Sequence, residues 1–231
     1  MAGRISAEWY LTSVGPELTI RVQDSLNFLS MVAPLPGERL LDDGPPTSPP
    51  LGRVERVSEE RIEFVRLTEV PVRSVVELLN EPRNARRMPL STKFTAESAV
   101  AWVEAKDAQW STHGYGPWAV LVNGRFAGWG GFQREENGAD FALVLAPEHW
   151  GHGSAITRAA LDRGFDELGL DAVLIALPYT RSPDRAVRRF GFVPDGDVIY
   201  DGATFRQYRL TQDSWRRARE TNETGAAEAA S

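Results

Sequence analysis

The residues with the clearest chemical potential lie between positions 146 and 155, where the chain reads Ala146-Pro147-Glu148-His149-Trp150-Gly151-His152-Gly153-Ser154-Ala155. An apolar run ends at Ala146, and a helical pattern opens at Ser154. A glycine-bearing loop that leads straight into a helix presents unpaired backbone N–H groups at the positive end of the helix dipole, which is a setting for an anion such as a phosphate. Gly151 and Gly153 remove the Cβ atoms that would hold the ligand off the backbone. The phosphate chemistry is not that of a P-loop, because no lysine follows the glycines, nor that of a dinucleotide fingerprint, because the third glycine is missing near Thr157. His149 and His152 stand three residues apart, but no third ligand accompanies them, so no metal site is expected. Arg181, Arg185, Arg188 and Arg189 follow downstream, and guanidinium groups match phosphate geometry.

The elements that must position this loop can be read from periodicity and turn chemistry. Arg61 to Leu67 alternates as a strand. Val72 to Leu79 and Ala96 to Trp110 read as helices, the second starting after Thr95 with Val100, Val103 and Trp110 on one face. Three strands follow at Pro117 to Val122, Arg125 to Gln133 and Ala139 to Ala146. Asn123-Gly124 separates the first two and Asn137-Gly138 precedes the third, and Asn-Gly between apolar runs marks a type I′ hairpin. Ser154 to Leu168 is a helix ending at Gly169, Ala172 to Leu177 a strand and Asp184 to Phe190 a short helix. Phe192 to Tyr200 then pairs with Thr204 to Leu210 across Asp201-Gly202. A strand reached through a helix pairs in parallel, so the expected fold class is mixed α/β (α+β), a central, mostly antiparallel mixed sheet flanked by helices.

Composition narrows the function classes. The chain has 231 residues, 42% hydrophobic and 25% charged, with a formal charge of -6. There is no global positive field for nucleic acid. With no cysteine, disulfides, thiolate nucleophiles and Cys-bound zinc are excluded. No segment has the length and apolarity of a signal peptide or a membrane span, so a soluble, cytoplasmic protein with no membrane partner is expected. Pro34, Pro36, Pro45, Pro46, Pro49 and Pro50 mark residues 34–57 as a linker. Residues 1–33 form an N-terminal extension, expected to dock on the main domain or to serve as a homodimer arm, residues 58–215 a single domain, and residues 216–231 a polar, disordered tail.

This order of elements, with Pro-x-x-Trp-Gly-x-Gly-x-Ala at the loop and Phe190-Gly191-Phe192 near the end, resembles the GNAT superfamily of acyl-CoA N-acyltransferases over about residues 60–212. Within it the chain looks like the branch that includes the ribosomal-protein N-terminal acetyltransferases. The resemblance implies acetyl-CoA as co-substrate and a primary amine as acceptor, on a peptide N-terminus or a small molecule. Its pantetheine arm would pair with backbone at Val144, Leu145 and Ala146. The loop backbone of His149, Trp150, Gly151, His152, Gly153, Ser154 and Ala155 would cradle the pyrophosphate. The early helices and the loop from Met88 to Phe94 would shape the acceptor pocket.

The family's carboxylate on the third meander strand falls at Asp140, a candidate general base. Two departures stand out: Thr180-Arg181-Ser182-Pro183 replaces an Asn-x-x-Ser segment, and Arg188 stands where many members carry a general-acid tyrosine. Tyr200 is the candidate for that proton, with Tyr179 beside it, and Arg181 and Arg185 are candidates for the CoA phosphates. The expected mechanism is direct attack of the amine on the thioester. The alternative is a non-catalytic acyl-CoA sensor whose N-terminal segment meets a partner.

Overall fold

The computed structural model describes residues 60–85, 93–179, 184–200 and 203–229. The expected extension and linker, Met88 to Thr92, Thr180 to Pro183 and the Asp201-Gly202 turn lie outside the described residues. The elements run β1 (Ile62–Arg66), α1 (Val72–Leu79), a short α2 (Pro82–Ala85), α3 (Ala96–His113), β2 (Pro117–Val122), β3 (Arg125–Glu135) and β4 (Gly138–Leu145). A 3-10 turn (Pro147–His152) leads into α4 (Gly153–Asp162), then β5 (Ala172–Pro178), α5 (Asp184–Arg189), β6 (Val193–Tyr200), β7 (Ala203–Thr211) and α6 (Gln212–Ala229).

The seven strands form one mixed sheet in the order β1-β2-β3-β4-β5-β7-β6. Asn123 and Gly124 take φ of 52° and 75°, as the β2–β3 turn requires. The β3–β4 register runs without a shift from Gly128 opposite Leu145 to Glu135 opposite Gly138. That close approach needs glycine: a Cβ at Gly128 would fall 2.1 Å from the Val144 carbonyl oxygen.

Helices α1 and α3 pack over β2 and β3. On the opposite face Gly164, in the π-type turn that continues α4, lies against the Phe132 ring. The Thr95 side chain accepts from the Ser98 amide to start α3, and Gly114 closes it with φ of 75°, a left-handed C-cap. The Arg66 guanidinium ties β1 to α3 through two 2.8 Å bonds to the Asp107 carboxylate.

Two expectations are corrected. Val100 is exposed, and the buried stripe of α3 is Ala99, Trp102, Val103 and Lys106. A polar residue at a core position flattens the apolar period that sequence reading relies on. At the other end, the chain beyond residue 215 continues as helix to Ala229 where a disordered tail was expected. Trp215 anchors it, fully buried, stacked on Phe190 and donating its Nε1–H to Asp162 at 3.1 Å, while Arg219 bonds Asp162 and Asp166 at 2.9 Å each.

Candidate active site

Strands β4 and β5 are parallel partners at only two positions, Ala139 opposite Val173 and Asp140 opposite Leu174. Beyond them β5 stays with β7 as far as Pro178, and β4 stays with β3 as far as Leu145. The centre of the sheet therefore opens into a wedge that widens toward the 3-10 turn. Main-chain direction alternates along a strand. Ala146 N–H donates to Ala127 O at 2.8 Å, so Ala146, Val144 and Ala142 turn their N–H and C=O groups to β3. Leu143 and Leu145 turn theirs into the wedge. The Leu145 carbonyl accepts from Asn84 Nδ2 at 3.2 Å and Trp150 Nε1 at 3.0 Å, which pins α2 and the glycine loop to the strand end.

At the mouth of the wedge, α4 begins at Gly153 with no side-chain cap. The aligned peptide dipoles make this terminus a favourable setting for an anion, and the 3-10 turn that leads into it already holds the His149 N–H on Ala146 O at 2.8 Å. A Cβ placed on Gly151 would meet nothing within 4 Å. Ser154 and Ala155 form the first turn of the helix, and Trp150 O accepts from the Gly153 N–H.

His152 turns aside: its Nε2 lies 3.0 Å from the Glu60 carboxylate, and its Nδ1 3.3 Å from His149 O. Burial is the main cause that depresses the His149 pKa below its ordinary value. Among the described residues no group of three or more His, Cys, Asp or Glu could hold a metal ion, and no helix is long and apolar enough to cross a membrane. The positive end of α4 and the wedge fit a long cofactor with a phosphate at one end and an amide-bearing arm.

Asp140 and Tyr200 face the same side of the sheet. Asp140 shares a face with Leu174, its register partner, and with Gln133 across β3. Tyr200 packs with Val198 on Ala176 and Phe205, an apolar cluster separate from the main core, and Ala176 alternates onto the same face as Leu174. The Tyr200 phenol is pushed well above its ordinary range, first by burial, then by the charges of Asp140 and Glu135. Asp140 is 2% exposed.

Arg181 lies outside the described residues, and Arg185 falls in α5 with its side chain not described. Arg188 and Arg189, at the C-terminal end of α5, line a surface cavity of about 380 Å³ with Arg217 of α6. Tyr179 is half exposed and donates to Asp197 at 2.6 Å. Sequence reading missed Asn84, Gln133 and Lys106. Lys106 stands four residues after Trp102 and three after Val103, so following the helical stripe through a charged residue would have found it. Asn80 was also missed: its side chain donates to Phe94 O and accepts from Phe94 N–H, both at 2.9 Å. That clasp closes the neck of the chain between α1 and α3.

A seven-stranded mixed sheet splayed at its centre, with an uncapped helix beginning at the mouth, defines an acetyltransferase-type fold. The chain belongs to the GNAT acetyltransferase family: the acetyltransferase (GNAT) domain matches residues 61–193. The fold is similar to that of an acetyltransferase from Agrobacterium tumefaciens, at 18% identity and a TM-score of 0.54, covering 76% of this chain and 100% of that one. A protein of Bordetella pertussis assigned to the GnaT acetyltransferases is similar at 20% identity and a TM-score of 0.53, covering 67% and 97%. A mutant form of the spermidine N-acetyltransferase from Vibrio cholerae is similar at 16% identity and a TM-score of 0.50, covering 68% and 96%. No curated protein matches the chain.

Proposed function

We propose that this protein transfers an acetyl group from acetyl-CoA to a primary amine by direct attack. The observation that carries the reading is the wedge between β4 and β5, with the main chain of Leu143 and Leu145 facing into it and the uncapped start of α4 at its mouth. The pantetheine arm lies along that edge beside Leu143; of the three residues Val144, Leu145 and Ala146, Leu145 faces the same way, its carbonyl already accepting from Asn84 and Trp150. The pyrophosphate lies against the loop from His149 to Ala155, at the positive end of the α4 dipole, with Gly151 and Gly153 allowing its approach.

The acceptor nitrogen attacks the thioester carbonyl carbon, the C–S bond breaks and the acetyl group passes to nitrogen. Asp140, directly or through one water, takes the proton the amine loses. Tyr200, whose phenol is held protonated, gives its proton to the departing thiolate. The face that carries them also bears Glu135 near Tyr200, a negative setting that draws in an amine arriving as its ammonium.

The acceptor is a peptide α-amine or a small-molecule amine such as a polyamine. Purified protein with acetyl-CoA and a panel of both kinds tests the reading through release of free CoA thiol. Amine-dependent turnover supports an enzyme. Acetyl-CoA binding with no turnover on any amine overturns the reading in favour of a sensor.

A further inference from the structure

Among the described residues, the buried charged side chains are two, Lys106 at 5% exposure and Asp140 at 2%. They come from different elements, α3 and β4, yet meet on one face of the sheet. The Lys106 ammonium donates to Gln133 Oε1. Gln133 and Asp140 are direct register partners on β3 and β4, and they form a hydrogen-bonded antiparallel pair because Ala146 and Ala127, six residues along each strand, do so. Side chains so placed stand on the same face with Cβ atoms about 5 Å apart.

The surroundings are rich in donors. Lys106 lies 5.7 Å from the Trp102 ring centre and 5.5 Å from that of Trp129, where the aromatic faces attract its ammonium. Because Gln133 gives its oxygen to Lys106, its Nε2 group is left as a donor, with no partner among the described residues. The indole N–H groups of Trp102 and Trp129 are likewise buried without partners among the described residues. A buried neighbourhood with a cation and surplus N–H groups favours an anion over a neutral acid.

We propose that Lys106 is a positioning residue, the counter-charge that keeps the Asp140 carboxylate ionised and in place within the acceptor site. The inference rests on the reading of Asp140 as general base. Other charged groups near Asp140 are accounted for: Tyr200 from β6 is a neutral phenol, Glu135 from β3 repels, and Arg209 of β7, across from Leu174, is bonded to Asp195 at 2.8 Å. Lys106 is the buried cation on this face among the described residues.

The test measures the Asp140 carboxyl directly, by carbon-13 NMR titration of the whole chain, in the wild type and in Lys106→Met. The expected result is an Asp140 midpoint raised by about one to three pH units in the variant. The acidic limb of kcat/KM should move by the same amount, and acetyl-CoA affinity should stay unchanged. Because the chain has no cysteine, Lys106→Cys gives a unique thiol. Its aminoethylation in denaturant, followed by refolding, restores an ammonium and should return the midpoint.

If Lys106→Met does not fold, Lys106→Gln serves in its place, with the same rise of the Asp140 midpoint expected. An unmoved Asp140 midpoint in the variant that folds overturns the proposal. A moved midpoint together with full activity in Asp140→Asn would leave the charge pair standing and remove only the role of Asp140 as base.

Discussion

The Tyr200 ring on β6 and the Asp140 carboxylate on β4 face the same side of the sheet with β5 and β7 between them, near enough for one to change the chemistry of the other. The aspartate's negative charge adds to burial in holding the proton on the phenol. On the proposed reading, a base that must be free to take a proton and an acid that must keep its own until the thiolate forms are thus linked by one interaction. Tyr200→Phe should lower kcat by about 10²- to 10⁴-fold while leaving the acetyl-CoA dissociation constant unchanged. Since the phenol is raised, the wild type should show no loss of activity assignable to Tyr200 up to about pH 10. Rate profiles from pH 6 to 10 on both proteins decide this.

The open space at Gly151 separates binding from folding. Gly151→Glu places a carboxylate at the start of α4 without meeting any atom within 4 Å of its Cβ. It should leave the melting temperature within a degree or two of the wild type. The repulsion should weaken acetyl-CoA by on the order of 2 kcal/mol, about 30-fold. Calorimetric titration with an unchanged dissociation constant would remove the phosphate role from this loop.

Gly128 makes the opposite case. Its φ of 154° and the 2.1 Å approach of Val144 O to a Cβ there mean that Gly128→Ala must push β3 away from the strand that borders the wedge. A loss of about 2–4 kcal/mol in urea unfolding is expected. A variant as stable as the wild type would mean that β3 and β4 can separate freely.

Trp215 decides how α6 is held. Trp215→Ala should cost about 3–5 kcal/mol, because it empties a fully buried site between α4 and α5 and leaves Asp162 with Arg219 as its side-chain partner among the described residues. Limited proteolysis should then cut within α6 first. Equal stability with an intact α6 would show that the helix is held elsewhere.

The depressed pKa of His149 gives a pH effect of definite sign. Its folded form binds a proton less readily than the unfolded chain, so its contribution is complete above about pH 6.5 and is lost as pH falls toward the folded value. Urea midpoints should drop between pH 7 and pH 5 in the wild type, and by less in His149→Asn.

The meander and the loop were legible because their signals are local. Asn123-Gly124 names its own turn, Gly169 marks the end of the helical stretch with φ of 66°, and the glycines before α4 stand in strand-to-helix order. What escaped depended on partners distant in sequence. The burial of Lys106 is intelligible only with Gln133, twenty-seven residues on, and Trp215 needs Asp162, fifty-three residues back. On the proposed reading the contact edge of β4 shifts from three consecutive residues to Leu143 and Leu145, because a sequence shows which way side chains alternate but not which side of the strand has a neighbour. Only the brevity of the β4–β5 pairing reveals that Leu143 and Leu145 look into the wedge.

That brevity also makes the sheet two half-sheets, β1 to β4 and β5 to β7, stitched at a seam two residues long. On the proposed reading, the arm that lies along Leu143 and Leu145 does the work of a missing strand, so saturation with ligand is the last step of folding as well as the first step of turnover. Acetyl-CoA at a hundred times its dissociation constant would add about 2.7 kcal/mol to the folded state. A chain built this way is sturdiest when acetyl-CoA is plentiful, and its lifetime against proteases becomes a gauge of cofactor supply.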